Sequence, residues 1–123
     1  MDRPWPHKVI RGNIAKKVIV TGGWWPFSPL TGLSFSRNFL LQVMNIPEQN
    51  YRICADTYLA DLAPFFGKVV GIPQALSLMR IHGFNNWSNP LDADRRAVHY
   101  HEVRVNNLNL VLKKLDFDVE VNL

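Results

Sequence analysis

Three polar side chains stand against otherwise apolar stretches of the chain: Asp56, Arg80 and His82. Asp56 lies three residues before Leu59 and four before Ala60, so on a helix it falls on or beside the buried face. A carboxylate aimed into a cleft from there can serve as a general base for a hydroxyl proton. The plainer reading is a helix cap, because Asp is a favoured capping residue and the helix dipole stabilises its anion. Taken alone, Asp56 favours the cap. Arg80 and His82 alternate with Met79 and Ile81, so on a strand both project from one face. A guanidinium beside an imidazole suits a phosphate, or a phosphate-bound metal with His82 as a ligand. The plainer reading there is a buried, hydrogen-bonded histidine next to a surface arginine. Gly83 and Asn85-Asn86 weigh against it, since they build a tight polar turn where backbone can come close to a ligand.

These residues need elements to position them. Phe35, Phe39, Leu40, Val43 and Met44 recur at helical spacing, which predicts a helix over 36–44 with Ser34 or Ser36 as its cap and Pro47 as its stop. A polar turn over 47–50 leads to a second stripe, Tyr58, Leu59, Leu62, Ala63 and Phe66. That helix starts near Asp56 and has Gly67 as its C-cap, with Pro64 in the last turn. Asp61 lies well round this helix from Asp56 and is expected to face solvent. The runs 68–72 and 75–81 are β-prone and read as paired or neighbouring strands, followed by a loop over 83–90. From Asp92 onward, Val98, His101, Val105, Leu108, Leu112 and Leu115 give one continuous helical face over about 91–115. Asp92 or Asp94 and Lys113-Lys114 suit its two ends.

Near the N-terminus, residues 1–13 are expected to be irregular or extended, and 14–20 (IAKKVIV) fits either a short strand or the last turn of a helix. Residues 21–32 carry three glycines and two prolines together with Trp24, Trp25 and Phe27. A loop so rich in aromatics either plugs a core or lines a binding surface, and the two readings are evenly matched.

With 123 residues, 47% of them hydrophobic, the chain suffices for one small domain and not for two. Fourteen Lys and Arg against ten Asp and Glu give a net charge of +4, which suits an anionic ligand such as a phosphate, a nucleic acid or a membrane surface. The basic residues are scattered, with Lys16-Lys17, Arg95-Arg96 and Lys113-Lys114 as the doublets, so a soluble domain that happens to be basic is the simpler reading. Nucleic-acid binding lacks a basic stripe or a motif to carry it. Cys54, the single cysteine, allows no internal disulfide, and its neighbours Ile53 and Ala55 suggest an inert buried thiol. There is no apolar leader and no run of the roughly 20 apolar residues needed to span a bilayer, so a cytoplasmic protein, free or attached to the membrane surface, is expected.

Several tempting spacings carry little. Asp92-Ala-Asp94 and Asp116-Phe-Asp118 both have the D-x-D form that can bind a divalent cation, but one opens a helix and the other sits in the tail. His99 and His101 fall on different helix faces. No phosphate-binding glycine loop, nucleophile elbow or Cys/His zinc spacing is present.

Taken in order, the residues resemble the C-terminal half of a family 2 glycosyltransferase of the GT-A fold. Gly22-Gly23 through Pro29-Leu-Thr-Gly32 is similar to that family's loop of glycine, aromatics and Pro-x-(Ser/Thr)-Gly. Ser36-Arg37 with Phe39-Leu40 is similar to the helix after it, and Ile46-Pro47-Glu48 to its Ile-Pro-Glu turn. Ala55-Asp56-Thr57-Tyr58-Leu59 resembles the segment that holds the base. Leu62-Ala63-Pro64-Phe65-Phe66-Gly67 then leads to Met79-Arg80-Ile81-His82-Gly83, similar to the family's Tyr-Arg-x-His-Gly. The departures are Leu30-Thr31 in place of Thr-Ser and Met79 in place of an aromatic; the match runs over about residues 20 to 115.

The resemblance implies a partial GT-A-like α+β domain, with a few short strands, packed helices and a long C-terminal helix. It implies inverting hexosyl transfer from a nucleotide-diphospho-sugar to an acceptor hydroxyl, on a glycan or a lipid carrier. Asp56 matches the base position, Arg80, His82 and Asn85 the phosphate side of the donor, and Trp24, Trp25, Thr31 and Gly32 the sugar or acceptor side. A divalent cation, Mg or Mn, held in part by His82, would offset the leaving diphosphate. The family begins with a βαβ half that grips the nucleotide and carries its D-x-D ahead of this region, and residues 1–20 hold nothing of that kind. The chain is therefore expected to lack the donor half, as a split gene product completed by a separate chain, a truncated reading frame or a stand-alone remnant would. The alternative is a non-catalytic interaction module that binds a partner protein through the aromatic loop and the C-terminal helix.

Overall fold

In the computed structural model, residues 9–27, 30–52, 55–74, 76 and 93–122 are described, the side chains of residues 30 and 93–99 excepted. Two two-residue strands, β1 (Arg11–Gly12) and β2 (Val69–Val70), pair antiparallel with Arg11 opposite Val70 and Gly12 opposite Val69. The described residues also form five helices, α1 (Ala15–Val20), α2 (Arg37–Val43), α3 (Glu48–Tyr51), α4 (Ala55–Phe66) and α5 (Ala93–Lys114), and a 3-10 turn at Leu30–Gly32. The described part is thus a mixed helix and small-sheet fold. None of its helices is long and apolar enough to cross a membrane.

The segment over 14–20, open to strand or helix from its sequence, is helical. Ile14 and Val18, one turn apart, point into the core, while Lys16 and Lys17 point out. A Schellman closure ends α1: Gly23 N–H donates to Val18 O at 2.8 Å and Gly22 N–H to Ile19 O at 3.3 Å. Gly22 and Gly23 both have left-handed φ, +63° and +80°, which is why two glycines stand there. For α2, Ser36 is the cap, its Oγ accepting from Phe39 N–H at 3.3 Å. The expected turn over 47–50 is instead the start of the short helix α3. Pro47 presets φ at −63° and its carbonyl accepts from the N–H groups of Asn50 and Tyr51 at 3.1 Å. Gly67 does follow α4 but without the left-handed φ of a C-cap. Of the two strand-like runs only Val69–Val70 forms a described strand, and its partner is Arg11–Gly12 rather than the second run. Of that run, Ala75 and residues 77–81 lie outside the described residues.

α5 places Val105, Leu108 and Leu112 fully inside, as its spacing predicts. Its end is a second Schellman closure: Phe117 N–H donates to Leu112 O at 3.0 Å and Asp116 N–H to Lys113 O at 3.2 Å. Asp116, with φ +59°, is its left-handed residue, so the backbone of the first residue of Asp116-Phe-Asp118 makes the turn. The main core gathers Phe39, Val43, Tyr51, Tyr58, Leu62, Val105, Leu108, Leu112 and Val121. Each large aliphatic side chain buried there contributes about 1.5–3 kcal/mol. A smaller cluster, Ile14, Val18, Trp25 and Ala60, holds α1 and the aromatic loop against α4.

Candidate functional site

Asp56 sits in the first turn of α4, half-buried, and its Oδ1 accepts from Thr57 N–H at 3.1 Å. It therefore does part of the work of a cap from just inside the helix, satisfying one N–H that has no helical acceptor. Beside it, Tyr100 of α5 donates its hydroxyl to Thr57 Oγ1 at 2.9 Å, which ties the start of α4 to α5.

Further along α4 a carboxylate is paired with a guanidinium of α5. Asp61, expected to face solvent, is completely buried and ion-paired with Arg104 of α5. Arg104 Nε donates to Asp61 Oδ2 at 2.7 Å, and its Nη2 donates both to Asp61 Oδ1 and, at 3.2 Å, to the carbonyl of Gly23. The guanidinium also lies over the Phe27 ring, 5.6 Å from its centroid. One side chain thus joins α5 to α4 and to two points of the aromatic loop. The expectation for Asp61 failed because its partner is 43 positions away in sequence. A signal was nonetheless present. Asp61 is three residues after Tyr58, Arg104 is four before Leu108, and both fall on the apolar sides of their helices.

Burial pushes the Asp61 carboxyl up to about 6, with the hydrogen bond and charge of Arg104 opposing and the nearby Asp56 adding to the rise. For Arg104, burial works against the cation, but the hydrogen bond and charge of Asp61 outweigh it and hold the guanidinium charged more firmly than usual. Burial also raises the Tyr51 hydroxyl, as does the charge of Asp61, so Tyr51 stays protonated beside this pair.

The aromatic loop divides its residues between the two roles open to it. Trp25 is 6% exposed and its Nε1–H donates to the carbonyl of Ala60 at 3.2 Å, so it plugs the core and offers no open face to a sugar. Trp24 points outward. Thr31 and Gly32 lie exposed in the 3-10 turn. Arg80, His82 and Asn85 lie outside the described residues, and with them the question of whether Asp56 and His82 share a cleft. Among the described residues no group of three or more His, Cys, Asp or Glu comes together.

No family model matches the sequence, and no solved structure matches it. A protein of Nostoc sp. (strain PCC 7120), named as an uncharacterized glycosyltransferase, is 29% identical over 115 residues. The alignment covers 90% of this chain and 36% of that protein, so the chain spans about a third of the relative's length. In sequence, then, the chain is similar to one portion of a protein named as a glycosyltransferase.

Proposed function

We propose that residues 1–123 form the acceptor- and base-bearing portion of an inverting, GT-A-type family 2 glycosyltransferase. The single observation that carries this reading is the alignment with a protein named as a glycosyltransferase, which runs through the Asp56 segment and the aromatic loop alike. The geometry is in keeping with it. Asp56 is half-buried at a helix start braced by Tyr100, and hydrogen-bonded to nothing beyond its own neighbour among the described residues. In this reading Asp56 takes the proton from an acceptor hydroxyl as that oxygen attacks the sugar's anomeric carbon. Trp24, Thr31 and Gly32 would contact the acceptor or sugar. Arg80, His82 and Asn85 would face the leaving diphosphate. The nucleotide-gripping half would come from residues other than 1–20, in another stretch or another chain.

The test is transfer of labelled hexose from a panel of nucleotide-diphospho-sugars, using the natural protein that contains this chain. Asp56→Asn should lower transfer by about 10²–10⁴-fold without unfolding the protein, the usual contribution of a positioned base. Undiminished transfer by Asp56→Asn would remove Asp56 from that role. Absence of both transfer and nucleotide binding in any protein carrying residues 1–123 would remove the transferase reading.

A further inference from the structure

Among the described residues the buried polar side chains are Thr57 and Asp61, four residues apart on one side of α4. Each is bonded to the α5 residue 43 positions further on. Thr57 Oγ1 accepts from the Tyr100 hydroxyl at 2.9 Å, and Asp61 Oδ2 accepts from Arg104 Nε at 2.7 Å. The two helices therefore run in the same direction over this turn and are held in register by two polar rungs. The Asp61–Arg104 rung offsets a buried charge. The Thr57–Tyr100 rung offsets none, and valine has the shape of threonine without a hydroxyl to satisfy, so burial alone does not ask for this pair. Its neighbour does. Thr57 N–H donates to Asp56 Oδ1 at 3.1 Å, so Thr57 is gripped by α5 through its side chain and grips the carboxylate through its backbone. Among the described residues Asp56 Oδ2 accepts no hydrogen bond.

We infer that Tyr100, acting through Thr57, is a positioning residue for Asp56: it keeps the carboxylate with Oδ1 anchored and Oδ2 left to receive a proton. This rests on the reading of Asp56 as the base. The first turn of a helix opens more readily than its middle, because its N–H groups lack helical acceptors. A base placed there needs outside support to keep one orientation, and proton transfer depends on that orientation. Tyr100 supplies the support from a second helix, whose Leu108 and Leu112 are fixed in the core. Tyr100 touches no reacting atom in this scheme. Loss of its hydroxyl loosens Thr57, and with it the carboxylate, so the effect falls on the proton-transfer step and not on binding of the nucleotide-diphospho-sugar.

Steady-state transfer by the natural protein that contains this chain tests it, with whichever of UDP-glucose, UDP-galactose and GDP-mannose the wild type uses best as the labelled donor. Tyr100→Phe and Thr57→Val should each lower kcat about tenfold to a hundredfold and leave the donor KM within about twofold. Thr57→Ser keeps the hydroxyl and should recover most of the loss seen with Thr57→Val. In an Asp56→Asn background Tyr100→Phe should cost nothing further, because both changes act on one group. Amide exchange gives a readout apart from turnover: Thr57 N–H should exchange about tenfold faster in Tyr100→Phe. Thermal unfolding checks that each variant is folded. Wild-type kcat in Tyr100→Phe, beside an impaired Asp56→Asn, overturns the inference and leaves the base reading standing. So does an unchanged Thr57 exchange rate, or a loss that adds in full to that of Asp56→Asn, since Tyr100 would then act other than through the carboxylate. Undiminished transfer by Asp56→Asn, or no transfer by the wild type with any of the three donors, removes the base reading and the inference with it.

Discussion

The indole N–H of Trp25 donates to the carbonyl of Ala60, the one carbonyl of α4 whose helical donor is taken away by Pro64. In an α-helix the N–H of residue 64 would close on the carbonyl of residue 60, and proline has none. The aromatic loop supplies the missing donor from 35 positions upstream. A helix carbonyl freed by proline and a buried indole N–H, each costly if left unpaired, thus satisfy each other, and the loop is pinned to the helix that carries Asp56.

That relationship can be measured by a double-mutant cycle. Trp25→Phe leaves a buried carbonyl without a partner and should cost about 1–3 kcal/mol beyond the small loss of ring volume. In a Pro64→Ala background the helix regains its own donor to Ala60, so the same substitution should cost about 1 kcal/mol less. Urea unfolding of the four proteins gives the coupling, and a value near zero would show that the carbonyl finds water when the indole is removed.

The glycines separate into those the fold requires and one it does not. A methyl group on Gly23 would sit 3.3 Å from Val105 Cγ2 and 3.4 Å from Val121 Cγ1, at a backbone φ of +80°. Gly23→Ala should therefore destabilise by about 1–3 kcal/mol, through backbone strain and displaced core side chains. Gly67 has open space around its Cα and no left-handed φ. Gly67→Ala should be stabilising by about 0.4–1 kcal/mol, because it restricts the unfolded chain. Thermal unfolding of both variants checks the sign of each, and a destabilised Gly67→Ala would refute the conformation assigned to that residue.

What was legible in the sequence follows from the range over which the forces act. Helices α2, α4 and α5 announce themselves because their apolar spacing is local: Phe39 and Val43, Tyr58 and Leu62, Val105, Leu108 and Leu112 all end up inside. The segment over 14–20 was ambiguous because seven residues with two lysines among them fit either period. Asp61 was misread because a charge inside a helical stripe makes sense only with its counter-charge, and nothing local couples α4 to Arg104. Trp25 was half legible, since its partner becomes apparent only once Pro64 is seen to free a carbonyl. On the candidate site, the residues gave Asp56 its place at a helix start, while the bracing by Tyr100 and Arg104 came from tertiary contacts between distant segments.

Arg104 should be the least replaceable polar side chain among the described residues. Arg104→Met leaves the Asp61 carboxylate buried without its cation, which costs about 3–5 kcal/mol, and it also releases the Gly23 carbonyl. Arg104→Lys keeps the charge but cannot bridge both carboxylate oxygens and the loop carbonyl, so it should fall between. The combined Asp61→Asn/Arg104→Met change should cost less than Arg104→Met alone, since no unpaired charge remains. Denaturant unfolding at neutral pH ranks the three. A double variant that is the weakest of all would show that the pair itself, rather than the avoidance of a lone charge, supplies the stability.

The same carboxyl gives stability a pH dependence opposite to the usual acid loss. Burial raises Asp61 from 3.8 to about 6, so the folded protein takes up a proton here that the unfolded chain takes up only in stronger acid. The contribution of this group is accordingly full below about 4 and is lost as the pH rises through about 6, a swing of up to about 3 kcal/mol. Other carboxyls titrate over the same range, so the comparison must be with Asp61→Asn, which shares all of them. Between pH 7 and pH 4.5 the stability of the wild type relative to Asp61→Asn should rise. A flat difference would place the carboxyl at its unfolded value. A falling one would mean that Arg104 outweighs burial and depresses it, and in that case the cost of Arg104→Met should also be largest at neutral pH and shrink steeply in acid.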